Sequence, residues 1–251
     1  MRPAALVTGG AKRIGRAIAL RLADEGYAVA IHYRRSREAA EDVKRAIERS
    51  GGRAEIVQGD LADMGVVESL LARAGGILGP LTLLVNNASL FEPDDIETLS
   101  ADLWERHFAI NLRAPAFLTR DLARQLPEGE DGAVVNIVDQ RVWKLNPQFF
   151  SYTLSKAALF TATRTMAQAL APRVRVNAIG PGPTLTSIRQ SSEDFARQSE
   201  ALPLRENPKP EEIAEAVVFL VRAKSVTGQM LAVDGGQHLA WETPDVRAVR
   251  E

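Results

Sequence analysis

The sequence contains no cysteine. That excludes a disulfide framework, a thiolate nucleophile and any Cys-built metal centre. Histidine is scarce too. His32, His107 and His238 lie far apart in the chain, so a zinc site is not expected. Charge of one sign is missing. The 31 basic and 32 acidic residues and a pI near 6.4 leave no electrostatic footprint for nucleic acid. Long apolar runs are missing as well. None reaches the roughly 18 residues of a membrane span, and "MRPAALVTGG" carries too short a run for a secretory leader. No repeat or low-complexity linker interrupts the chain. The expectation is a cytoplasmic protein acting on a small molecule, with neither nucleic acid nor membrane as partner.

What is present is ordinary globular material. The 251 residues are 45% hydrophobic and 25% charged, enough for one large α/β domain or two small ones, with a single domain over residues 1–251 the expectation. Short β-branched runs read as strands at Ala4–Thr8, Val29–Tyr33, Ala54–Gln58, Leu81–Asn86, Ala133–Val138, Val174–Ile179 and Met230–Val233. They do not strictly alternate, as expected for strands covered on both faces. Helical spacing falls between them, as in Ile14, Ala17, Ile18, Leu22 and in Ile213, Val217, Leu220. This βαβα order predicts a Rossmann-like, doubly wound parallel sheet with helices on both faces. Ser187–Pro210 breaks the pattern and reads as a lid over the substrate side.

The first strand runs into "TGGAKRIG", which puts Gly9, Gly10 and Gly15 at a helix start. A dinucleotide pyrophosphate binds in such a turn, because the glycines bring backbone N–H groups close to it. Arg13 stands where a further glycine is usual, preceded by Lys12, and the two offer cations to phosphate or substrate. The second strand ends "IHYRRS", with none of the acids that hold an NAD ribose. Arg34, Arg35 and Ser36 instead offer donors to a 2′-phosphate, so NADPH is favoured over NADH. Asp60 follows the third strand. Asn87, Ala88 and Ser89 follow the fourth. Ligands of such sheets bind beyond the carboxyl ends of the strands, although a strand-end Asn or Asp is also a common helix cap.

Tyr152 and Lys156 are four apart in "SYTLSK" and share one helix face. A nearby ammonium lowers a tyrosine pKa, which prepares Tyr152 for acid–base work. Thirteen residues earlier the fifth strand ends on a carboxylate, Asp139, which serves either chemistry or a loop cap.

These motifs identify the chain as similar to the short-chain dehydrogenase/reductases along nearly its whole length. The carriers are "TGGAKRIG", "NNAS", Asn111 in "INLRAP", "YTLSK", "VNAIGPG" and "VTGQMLAVDGG". Asp139 departs from the serine usual in that family, and Arg13 from a glycine. Both departures, with "HYRRS", "NNASLF" and "DGGQHL", resemble the pteridine reductases and bacterial dihydromonapterin reductases. The resemblance implies NADPH-dependent reduction of a dihydropterin. Asp139, Tyr152, Lys156 and Asn111 are then catalytic. Arg13, Ser89, Phe91, Asp139, Tyr152 and Leu185 hold substrate, with Phe91 stacked on the pterin ring and Asn111 supporting a proton path. Ile14, Tyr33, Leu61, Pro181, Gly182 and Thr184 join the cofactor shell of Gly9, Lys12, Arg13, Gly15, Arg34, Arg35, Ser36, Asp60, Asn87, Ala88, Ser89, Tyr152 and Lys156. A homotetramer is implied, with Ala101–Gln125 and Ser151–Ala171 as contact helices. Two alternatives stand beside this reading: a ketone/alcohol oxidoreductase of the same family, and a non-catalytic NADPH-sensing protein.

Overall fold

The computed structural model describes residues 2–186 and 191–241. Seven parallel strands form one sheet in the order β3-β2-β1-β4-β5-β6-β7. They are β1 Ala4–Val7, β2 Ala28–Tyr33, β3 Arg53–Gln58, β4 Leu81–Asn86, β5 Gly132–Ile137, β6 Val174–Pro181 and β7 Met230–Val233. All seven strands expected from the sequence are present, with ends shifted by at most two residues. The larger shift is in β6, whose ladder with β7 carries Gly180 and Pro181 beyond the expected end at Ile179.

The runs fail to alternate because both faces of the sheet are covered. In β1, Ala5 and Val7 enter one core layer, while Ala4 and Leu6 enter the other. The first layer receives Ile18 and Leu22 of α1 Arg13–Asp24, Val43 and Ile47 of α2 Arg37–Arg49, and Ile213 and Val217 of α8 Pro210–Arg222. The second receives Val67 and Leu70 of α3 Met64–Leu78, Leu118 and Leu122 of α5 Ala114–Gln125, and Ala167 of α6 Phe150–Leu170. The sheet is thus doubly wound, as expected.

Ala101–Gln125 is not one uniform helix. After α4 Ala101–Phe108 the backbone widens into a π-helical turn over Ala109–Arg113 before α5 begins. Such widened turns recur at functional sites, and this one contains Asn111. Within the expected lid, residues 187–190 lie outside the described residues. The remainder includes a short helix, α7 Ser192–Glu200.

The strand order reverses direction between β1 and β4. Their carboxyl ends diverge there and leave a crevice, the place where open α/β sheets bind ligands.

Candidate active site

Thr8 and Asn87 tie the two diverging strands together. The Thr8 hydroxyl donates to the Val85 carbonyl and accepts from the N–H groups of Asn87 and Ala88. The Asn87 amide donates back to the carbonyls of Thr8 and Gly9 at 2.9 and 3.1 Å. Gly9 has φ +62°, which favours glycine. A Cβ on Gly15 would lie 2.2 Å from the Gly9 oxygen and 2.5 Å from the Asn87 Nδ2. The turn therefore demands glycine at both positions.

His32 is a cofactor-side residue that the motif reading missed. Its Nδ1 accepts from the Gly9 N–H at 3.0 Å, and its Nε2 lies 3.1 Å from the Gly59 carbonyl. Burial pushes its pKa down to about 4, so near neutral pH one ring nitrogen accepts and the other donates. The signal was a histidine closing a strand beside a glycine turn.

A cleft of about 430 Å³ runs along this edge, lined by Gly9, Lys12, Arg13, Ile14, Gly15, Arg34, Asp60, Leu61, Asn87, Ala88 and Ser89 among others. Its close backbone approach and its cations fit a phosphate-bearing nucleotide. The Arg34 guanidinium lies 3.7 Å from the Asp60 carboxylate, both partly open to solvent. Of the residues expected in this shell, Tyr152, Lys156, Pro181, Gly182 and Thr184 line a second cavity instead, while Tyr33, Arg35 and Ser36 line neither. Tyr33 is buried in the core, Arg35 is exposed, and Ser36 is the N-cap residue of α2.

A second cavity of about 580 Å³ adjoins the first and shares Arg13, Ile14, Asn87 and Ser89 with it. Its wall includes Phe91, Asp139, Tyr152, Lys156, Pro181, Gly182, Thr184 and Leu185, so the strand-end carboxylate and the helical Tyr-Lys pair meet there. It also includes Glu92, Gln140, Arg141, Phe195, Gln198 and Gln237, which motif reading did not assign. Trp143 packs against Phe160 and His238 and stands outside this wall.

Tyr152 is 5% exposed and Lys156 2%. The Tyr152 hydroxyl donates to Asp139 Oδ2 at 2.8 Å. The other carboxylate oxygen accepts from the Arg141 N–H at 2.9 Å, at the start of a short 3₁₀ turn over Gln140–Val142. Asp139 therefore does both things considered for it: one oxygen caps, the other meets the tyrosine. The Lys156 ammonium donates to the Ile137 carbonyl at 2.8 Å.

The electrostatics correct one sequence expectation. Tyr152 titrates well above its ordinary value, first because it is buried and then because the Asp139 carboxylate opposes a second negative charge. Lys156 does not reverse this. Its ammonium is 5.8 Å from the tyrosine ring centre, and burial lowers its own pKa to about 8. Asp139 is raised, again chiefly by burial. Tyr152 is thus a protonated hydroxyl beside a carboxyl group that accepts protons readily.

Asn111 is fully buried. Its oxygen accepts from the Leu90 N–H at 2.9 Å and the Ser89 hydroxyl at 3.2 Å. Its amide donates to the Leu90 carbonyl and the Ser155 hydroxyl, both at 3.0 Å. These bonds clamp the loop carrying Ser89 and Phe91 against the helix carrying Tyr152.

Residues 9–238 match the family model described as enoyl-(acyl carrier protein) reductase. The chain is 33% identical, over 93% of its length and 91% of the relative's, to a short-chain type dehydrogenase/reductase of Picea abies. The chain belongs to the short-chain dehydrogenase/reductase family of oxidoreductases. It is 32% identical to the 3-oxoacyl-[acyl-carrier-protein] reductase FabG of Staphylococcus epidermidis, over 95% of this chain and all of that one. It is also similar to the crystal structure of FolM alternative dihydrofolate reductase 1 from Brucella canis complexed with NADP. That match has a TM-score of 0.94 and 57% identity over 97% of both chains.

Proposed function

We propose that this protein is an NADPH-dependent reductase of a dihydropterin, yielding the tetrahydropterin. The observation that carries the reading is the hydrogen bond from Tyr152 to Asp139 at the wall of the second cavity. A ketone oxygen needs only a neutral donor. Reduction of a ring C=N bond needs a proton delivered to nitrogen, and a carboxyl group can carry that proton where a serine cannot. The 57% identity to a protein named alternative dihydrofolate reductase supports the same class.

NADPH, when bound, supplies the hydride. The chain's own residues do the rest. Gly9 and Gly15 let the backbone approach the pyrophosphate, and Arg34 meets the 2′-phosphate. Lys156 orients the nicotinamide ribose. Phe91 offers a flat face to the pterin, with Ser89 and Arg13 beside it. Tyr152 donates toward the substrate and is reprotonated through Asp139. One hydride and one proton add across the C=N bond. Phe195 and Gln198 of α7 line the cavity, which supports the described part of the segment, residues 191–210, as a substrate-side lid. No helix among the described residues is long and apolar enough to cross a membrane. We place the protein in the cytoplasm as a homotetramer.

The deciding experiment follows NADPH absorbance with dihydromonapterin, dihydrobiopterin, dihydrofolate and simple ketones, with NADH in parallel. Consumption with a dihydropterin that is lost in Asp139→Ala, while NADPH binding persists, supports the proposal. Consumption with ketones alone overturns it in favour of a carbonyl reductase.

A further inference from the structure

Phe149 occupies a backbone conformation that its side chain disfavours. It has φ 56° and ψ 51°, in the left-handed region, and among the described non-glycine residues it shares positive φ only with Arg13 and Arg205. An L side chain there crowds its own backbone, and such strain persists only where the surroundings enforce it. The residues that follow Phe149 are anchored by Asp94, which is buried. Its carbonyl accepts from the Phe150 N–H at 3.1 Å, and its carboxylate accepts from the Ser151 N–H at 3.1 and 3.2 Å. The Ser151 hydroxyl also bonds to that carboxylate and lies 2.6 Å from Nδ1 of buried His107. Asp94 thereby caps α6 from another segment, a task for which Phe149 has no side-chain group.

The strain places a ring. Phe149 stacks on Phe91 with centroids 4.2 Å apart and planes 7° apart. Phe91 meets the edge of Tyr152 at 4.7 Å and 71°. The Arg141 guanidinium lies 5.6 and 5.0 Å from the two phenylalanine ring centres. Phe91 and Arg141 line the substrate cavity, and Phe149 lies outside its described lining. Phe149 therefore backs the platform rather than forming the slot.

We infer that Phe149 is a positioning residue. With the residues after it anchored by Asp94, it fixes the tilt of Phe91 relative to Tyr152 and so sets the slot that receives a flat heteroaromatic ring. This rests on the pterin reading. Without the backing ring the restraint on the tilt of Phe91 weakens, and a planar substrate loses stacking before it loses its proton donor.

The test compares wild type with Phe149→Gly, Phe149→Leu and Phe149→Tyr, measuring KM and kcat for the dihydropterin, NADPH affinity and thermal stability. Phe149→Gly relieves the strain and removes the ring. It is expected to raise the dihydropterin KM at least tenfold, with kcat within threefold and NADPH affinity within twofold of wild type. Phe149→Tyr restores KM to within threefold. Phe149→Leu keeps apolar bulk without a flat ring, so it raises KM and still folds if the glycine variant does not. A wild-type KM in Phe149→Gly or Phe149→Leu overturns the inference. So does a KM increase that Phe149→Tyr fails to reverse, or that runs parallel to lost NADPH affinity. Wild type inert toward every dihydropterin overturns the pterin reading itself, and this inference with it. An active wild type with an unaltered glycine variant overturns this inference alone.

Discussion

The Tyr152 hydroxyl donates to Asp139 at 2.8 Å across a gap of thirteen residues. Strand β5 delivers the acceptor and helix α6 the donor. Both line the second cavity, and the proposed reaction makes their proton handling interdependent. Tyr152→Phe and Asp139→Asn should each reduce turnover of a dihydropterin about 10²-fold or more, the usual scale for a general acid–base group. The double variant should cost little beyond either single one. Titration calorimetry should give NADPH affinities within a few-fold of wild type. Additive losses in kcat would show that the two act separately.

Asp139 also makes stability depend on pH. Its folded pKa lies above the ordinary 3.8, because burial disfavours the charged form. Below 3.8 both folded and unfolded chains hold the proton. As pH rises, the unfolded chain ionises first, and the stability contributed by protonated Asp139 is lost through its folded pKa. Wild type should therefore lose stability relative to Asp139→Asn as the pH climbs from below 3.8 toward neutrality. Denaturant unfolding of both at several pH values measures the gap. A constant gap contradicts the sign.

Arg34 should decide the choice of cofactor. A charged hydrogen bond to a phosphate is worth about 1.5–3 kcal/mol, roughly 10- to 100-fold in affinity. Arg34→Ala should weaken NADPH by that factor and barely alter NADH. Equal losses for both would move the 2′-phosphate contact elsewhere, with Arg35 and Lys12 the next residues to test.

Asn111 should matter for stability as much as for rate. Its replacement by Ala leaves the Leu90 N–H and carbonyl without their partner. A buried polar group left unpaired costs about 1–3 kcal/mol. Urea unfolding should show a loss of that size, and the dihydropterin KM should rise because the loop carrying Phe91 is released. An Asn111→Ala variant of wild-type stability but low kcat would favour the proton-path role expected from sequence over the clamp.

Much of this was legible before any fold was known. Strand periodicity, the glycine turn and the offset of four between Tyr152 and Lys156 are local patterns, and local steric and hydrogen-bonding rules govern them. They determined the doubly wound sheet, the nucleotide edge and the carboxylate two residues beyond β5. Tertiary structure alone decided the rest. It decided that Tyr152 stays protonated, because burial and Asp139 outweigh an ammonium whose own charge burial disfavours. It turned Asn111 into a clamp on Leu90, which required a widened helical turn beside a distant loop. It brought His32 under Gly9 and Gly59, and set Phe149 against Phe91. In each case the decisive partner lies 13 or more residues away in sequence, and only packing brings the two into contact.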